Sequence, residues 1–244
     1  MHFLINVLEA ARLSKENPVF IFCSTNKVYG DNVNKIPVKE LEKRYVFNDL
    51  NYKNGIPETF STDLCEHTPY GASKLAADLY VQDYAHRNEI DAAVFRMSCI
   101  YGTRQFGVED QGWFAWFTIA TLLDKPITIY GDGKQVRDVL YVRDLVKAFD
   151  IFVHKRDKLH HDVYNIGGGI ENTISLLELL DILEEITGKR SIIIYDDWRP
   201  SDQKVYISDL DKVQKELDWK PEVDAKKGVS KLVEWINDNR KLFK

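Results

Sequence analysis

Tyr70 and Lys74 stand four residues apart in HTPYGASKLAAD. On a helix that spacing puts both side chains on one face. An ammonium beside a phenol favours the phenolate, so the pair suits proton transfer with an alcohol undergoing oxidation. The same spacing also occurs on ordinary solvated helices, and the surrounding residues must decide between the two. Upstream, the apolar run VFIFCST (19–25) has strand length and leads into Ser24, Thr25, Asn26 and Lys27. Ligands of parallel α/β sheets sit beyond the carboxyl ends of strands. Ser24 and Thr25 are therefore turn formers or, in the case of Thr25, a hydrogen-bond partner for a reacting hydroxyl.

The elements that must hold these residues are legible along the chain. Residues 2–15 read as a helix with Phe3, Val7, Leu8 and Ala11 facing inward, stopped by Asn17-Pro18. Residues 31–67 are polar and mostly irregular, an excursion over the mouth of the site or a partly disordered segment. Thr68-Pro69 opens a helix over 69–87, with proline where a missing amide is harmless. DAAVFRMSCIYG (91–102) is a strand with a polar exit, and 113–124 is a strongly apolar helix whose aromatics are mostly core. PITIY, a Gly-Asp-Gly turn and Arg137 precede a further strand, followed by a helix over 142–155. HDVYNIGGG is a parallel strand ending in Asn165 and Gly167–Gly169, glycines that suit an anion cradle or a tight turn. Asn172 and Thr173 begin a helix over 173–187 that Gly188 closes, and KRSIIIYDDW is strand-like. Ser208 with Asp211 is a capping-box pattern, and Val229, Leu232, Val233 and Ile236 mark the inner side of a terminal helix. The expected class is α/β: a partial Rossmann-like parallel sheet flanked by helices, with a smaller mixed α/β C-terminal substrate-binding part. Residues 1–110 form the first part and 111–244 mainly the second, with 138–167 returning to the sheet.

Bulk properties narrow the partners. The 244 residues carry a formal net charge of -5 without a basic block, which argues against nucleic acid. No apolar run reaches transmembrane length. Cys23, Cys65 and Cys99 have neither metal-ligand nor redox spacing, no HExxH occurs, and His160-His161 reads as a solvated loop. No metal is expected, and a reducing, cytoplasmic compartment is the default.

The strings FCSTNKVYG, YGASK, FRMSCIYGTRQFG, YGDGKQVRDVLYV, YNIGGG and WRPSD, in this order, resemble the extended short-chain dehydrogenase/reductase family of nucleotide-sugar epimerases and dehydratases. NKVYGD and MSCIYGTRQFG with EDQGW narrow the likeness to its CDP-tyvelose (CDP-paratose) 2-epimerase branch. The resemblance implies bound NAD and a nucleotide-diphosphate sugar, CDP-linked in this branch. It makes Tyr70 the general base and acid, with Lys74 lowering its pKa and holding the nicotinamide ribose, while Thr25 holds the sugar hydroxyl. Met97 corresponds to a nicotinamide-side position and Cys99 to a position near the sugar. Arg137 and Arg199 match diphosphate contacts, and Asp202 a carboxylate near the nucleotide ribose. Asn165 is a further pocket position, Tyr130 stacks on or walls the base site, and Asn26, Lys27 and Gln111 touch sugar or phosphate.

Family members open with a strand, a Gly-x-x-Gly-x-x-Gly turn and a helix whose amides receive the dinucleotide pyrophosphate. No such turn occurs here, and Met1 corresponds roughly to the helix before the family's fifth strand. The VFIFCST edge is then expected to be open, favouring a homo-oligomer or pairing along that edge. Two other readings stand beside C2 epimerisation. One is a 4-epimerase or 4,6-dehydratase, although dehydratases of the family usually carry acids after the threonine where this chain has Asn26 and Lys27. The other is a non-catalytic nucleotide-sugar-binding module.

Overall fold

VFIFCST forms β1 (Val19–Thr25), whose β-branched and aromatic side chains suit a strand covered on both faces. The computed structural model describes residues 2–87, 89–159 and 161–243. β1 follows α1 (His2–Leu13) and pairs in parallel with β4 (Asp91–Met97), which pairs in parallel with β8 (His161–Ile166). This three-stranded parallel sheet has β1 at one edge. The helix α2 (Pro69–His86) lies on it, with Thr68 accepting a hydrogen bond from the Gly71 amide at 3.1 Å and Pro69 in the first turn.

The inward stripe of α1 is Leu4, Leu8 and Ala11, packed with Val81 and Ala85 of α2. Phe3 and Val7, expected inside, are exposed, because the i, i+4, i+7 line through Leu4 meets α2 and leaves their neighbours to the side. The run 91–102 is two strands. Ser98 breaks it, and the chain passes from β4 to β5 (Cys99–Tyr101) in a different sheet. There β5 pairs in parallel with β7 (Val136–Tyr141), so Arg137 lies inside a strand and not ahead of one. β7 also takes β11 (Val205–Tyr206) in parallel and β9 (Thr173–Ser175) antiparallel. The helix expected from 173 therefore begins later, as α5 (Leu176–Thr187), with Ser175 and Glu178 forming a full capping box.

The polar stretch 31–67 is ordered against the protein. After a 3₁₀ segment over Asn26–Lys35, β2 (Val38–Glu40) and β3 (Tyr45–Phe47) form a small hairpin. Val33, Ile36, Tyr45 and Ile56 are buried, and the Tyr45 and Ile56 amides donate to the Lys134 and Ile207 carbonyls. Those few apolar anchors hold it to the side of the second sheet, and Asn34 donates to the carbonyl of Asp202 at 3.0 Å.

α3 (Trp113–Leu122), β6 (Pro126–Tyr130), α4 (Val142–Leu159), β10 (Ile192–Asp196), α6 (Asp211–Leu217) and α7 (Ala225–Asp238) complete the chain. β10 pairs in parallel with β6, and α3, α5 and α7 share one core with Val229, Leu232 and Ile236. Ser208 does not cap α6. It is fully buried in a bridge to Ile56, and α6 starts after Leu210 without a side-chain cap. His161 opens β8, its ring 4.6 Å from that of His86, and so is not a solvated loop residue; His160 lies outside the described residues.

Gly167–Gly169 resolves in favour of close packing. A Cβ at Gly167 would lie 2.0 Å from Asp138 Oδ2, and the Gly169 amide donates to the same carboxylate at 3.1 Å. Asp138 is wholly buried, and burial pushes its carboxyl upward despite those donors. The group these glycines close around is the protein's own carboxyl.

Candidate active site

A cleft of about 560 Å³ opens where β1 and β4 end and the second sheet begins. One wall is built from strand ends. Thr25 closes β1, Asn26 and Lys27 continue from it, and Met97 closes β4 before Ser98 and Cys99 turn into the second sheet. Tyr70 comes from the first turn of α2 and is 55% exposed along this wall. Gly71 allows the approach: a Cβ there would lie 2.8 Å from the Lys27 carbonyl oxygen.

Thr25 is buried; its hydroxyl accepts from the Lys27 amide and donates to Asn26 Oδ1, both at 3.3 Å. Lys74 lies one turn along from Tyr70. Its ammonium donates to the Cys23 carbonyl at 2.9 Å and stands 5.1 Å from the centre of the Phe22 ring, so it is pinned to β1 outside the cleft lining. Two of its three protons remain for other acceptors.

The rest of the lining carries charge. Arg137 on β7 is nearly buried; its guanidinium donates to Asp202 Oδ1 at 2.8 Å and to the Gln203 carbonyl at 2.7 Å. Lys27 approaches the same carboxylate at 3.5 Å. Burial, helped by Arg137, pulls the Lys27 ammonium down to about 8, while Asp202 opposes the shift. Burial alone would raise the Asp202 carboxyl, but Arg137 and Lys27 hold it below the ordinary range. Arg199 lies 4.0 Å over the Tyr130 ring and donates to Asp110 at 2.8 Å. The Tyr130 hydroxyl donates to Glu109 at 3.3 Å, and Gln111 lines the cleft beside it. Burial pushes the Cys99 thiol up to about 12, which keeps it protonated and unreactive.

Thr25, Asn26, Lys27, Tyr70, Met97, Cys99, Gln111, Tyr130, Arg137, Arg199 and Asp202 thus face one space. Asn165 does not join them. It is wholly buried, donating to the Ile56 carbonyl at 2.7 Å and accepting from the Tyr29 hydroxyl at 2.8 Å, and serves to anchor the 31–67 segment. Sequence reasoning missed Gln135, which lines the cleft, donates to the Tyr130 carbonyl at 2.6 Å and has a buried amide oxygen without a partner among the described residues. The alternation of β7, with Gln135 two residues before Arg137, is the signal that would have found it.

The parallel sheet, the Tyr/Lys helix beside a strand ending in threonine, and a cleft beyond the strand ends lined by both basic and acidic side chains are the features of a nucleotide-dependent α/β enzyme. The model of the NAD dependent epimerase/dehydratase family matches residues 1–167, and the chain belongs to that family. It is 42% identical over 238 residues to CDP-paratose 2-epimerase of Salmonella typhi, spanning 96% of this chain and 69% of that protein. The fold superposes on UDP-glucose 4-epimerase of Thermotoga maritima solved with UDP-glucose, with TM-score 0.76 and 27% identity, over 97% of this chain and 69% of that one. MoeE5 in complex with UDP-glucose and NAD matches with TM-score 0.77 and 26% identity, over 98% of this chain and 70% of that one.

The residues present fit the nicotinamide-ribose end of NAD. Lys74 has protons to spare beside the exposed Tyr70, and Met97 offers an apolar surface on the same wall. No Gly-x-x-Gly-x-x-Gly turn for the pyrophosphate lies within these residues.

Proposed function

We propose that this NAD-dependent nucleotide-sugar epimerase inverts C2 of a CDP-linked dideoxyhexose, converting CDP-paratose to CDP-tyvelose. The observation that carries the reading is one cleft lined by Thr25 and Tyr70 together with the cations Arg137 and Arg199. In this reading the two arginines take the diphosphate, with guanidinium forks matched to phosphate oxygens. Tyr130 walls the base, Asp202 takes a ribose hydroxyl, Asn26 and Gln111 border the sugar, and Lys27 borders the sugar and the phosphate attached to it. Thr25 orients the C2 hydroxyl, and Tyr70 removes its proton and later returns it. Lys74 stabilises the phenolate and holds the nicotinamide ribose. Bound NAD supplies the hydride acceptor and donor, so that a transient 2-keto sugar is re-reduced from its other face without net redox change.

Asn26 and Lys27 after Thr25 favour epimerisation over dehydration, since neither is a carboxylic acid placed to protonate a leaving hydroxyl. The open edge of β1 and the exposed Phe3 and Leu13 on α1 support association with a second copy or a further polypeptide segment. Three free thiols suit a reducing, cytoplasmic compartment.

The test has two stages. Cofactor released from the purified chain is assayed first, with titration of NAD if none is carried. CDP-paratose is then supplied. Conversion to CDP-tyvelose with retained NAD is expected. Turnover confined to a UDP-hexose overturns the C2 assignment, and binding of CDP without NAD or turnover leaves a nucleotide-sugar-binding module.

A further inference from the structure

Asp78 lies in the interior of α2 and is wholly buried, yet it is neither in the cleft nor part of the proton-transfer chemistry. Its carboxylate receives hydrogen bonds from three other segments or turns. The Ser24 hydroxyl donates to Oδ2 at 2.6 Å, Arg96 donates to Oδ2 from Nε at 3.0 Å and to Oδ1 from Nη2 at 3.2 Å, and Gln82 donates to Oδ1 at 2.5 Å. Arg96 is itself nearly buried, and its remaining nitrogen donates to the Tyr29 hydroxyl at 3.2 Å and the Glu58 carbonyl at 3.3 Å.

The two partners on the sheet are each one step from a residue of the site. Ser24 precedes Thr25, Arg96 precedes Met97, and Asp78 stands one helical turn beyond Lys74, itself one turn beyond Tyr70. We infer that Asp78 is a positioning residue that locks the Tyr70/Lys74 helix to the ends of β1 and β4, setting Thr25 and Met97 against Tyr70.

The chemistry supports this use of a buried charge. Strand ends and a helix that merely pack by apolar contact can slide by fractions of an ångström, whereas a carboxylate taking three directed bonds from the two strands holds the helix in one arrangement. A buried ion pair is also a poor source of net stability, since well-packed apolar residues often serve as well. Its value here lies in geometry, to which proton and hydride transfer are sensitive.

The inference rests on the proposed reading of Thr25, Tyr70 and Met97, and its test has a readout independent of turnover. The chain has two methionines, Met1 and Met97. Isotope-labelled methionine methyl groups therefore give a Met97 signal that Met97→Leu assigns. Two variants are compared with the wild type: Ser24→Ala, which deletes one bond, and Asp78→Leu/Arg96→Met, which replaces the ion pair by apolar side chains. The expected result is a displaced or doubled Met97 signal in both, with an unfolding midpoint near wild type for Ser24→Ala and CDP affinity retained. Turnover should fall through kcat by about tenfold or more while KM stays close to wild type. An unmoved Met97 signal in folded variants overturns the inference even if the chain is an epimerase. A moved signal in a chain without turnover supports the lock and counts against the proposed function instead. Should the double variant fail to fold, Ser24→Ala decides alone.

Discussion

In the proposed reaction Tyr70 carries the proton. It is more than half exposed at the cleft, which Arg137 and Arg199 also line. Tyr70→Phe should therefore abolish turnover and leave CDP binding by calorimetry intact, because only the proton carrier is lost. Arg137→Ala removes a guanidinium held by Asp202 and the Gln203 carbonyl, and should weaken CDP-sugar binding by about 1–3 kcal/mol in the same calorimetric titration. Lys27 adds a pH dependence. Its ammonium, lowered to about 8, is charged below that pH and neutral above it. A diphosphate prefers the charged form, so affinity should be flat below pH 8 and fall by up to about tenfold per pH unit above it. Lys27→Met, titrated over the same range, should lose that slope. These residues were legible early because their types and order carry the chemistry. Asn165 lies outside the cleft because Tyr29 and Ile56 consume its amide, a partnership between residues remote in the chain.

At the scale of elements, α2 carries the site and its N-terminus is set by contact with the chain leaving β1. Gly71→Val places side-chain carbon against the Lys27 carbonyl, a backbone atom that cannot swing away. The expected cost is about 1–3 kcal/mol in urea denaturation, together with a loss of turnover larger than that in CDP affinity. The helix itself was readable from Thr68-Pro69 and its small residues. Element boundaries that depend on a distant partner were not. β9 takes Thr173–Ser175 out of the expected helix because β7 offers an antiparallel edge, and Ser98 splits one apparent strand because its two halves join different sheets.

For the whole molecule, β7 joins the two layers. Val139 and Tyr141 enter the core shared by α3, α5 and α7, while Leu140 enters the core beneath α4 with Phe95 and Tyr164. The period of two along the strand thus ties both cores through one buried element. Leu140→Ala should cost about 2–5 kcal/mol and still unfold in a single transition by fluorescence and circular dichroism, since β7 belongs to both layers. Noncoincident transitions would show the layers to be separable.

What the amino-acid sequence determined by itself was local and chemical: the Tyr70/Lys74 spacing, the strand ending in Thr25, the apolar periods of the helices and the ordered motifs that carry the family likeness. Those features depend on covalent neighbours and on the fixed repeats of helix and strand. The tertiary structure decided what depends on partners remote in the chain. It brought Arg137 and Asp202 to Lys27, anchored the 31–67 segment through a few buried apolar residues, filled the glycine turn with the Asp138 carboxyl and set Asp78 between Ser24 and Arg96. A buried polar group is committed by whatever donor or acceptor lies opposite it, and that identity is a property of the packed chain.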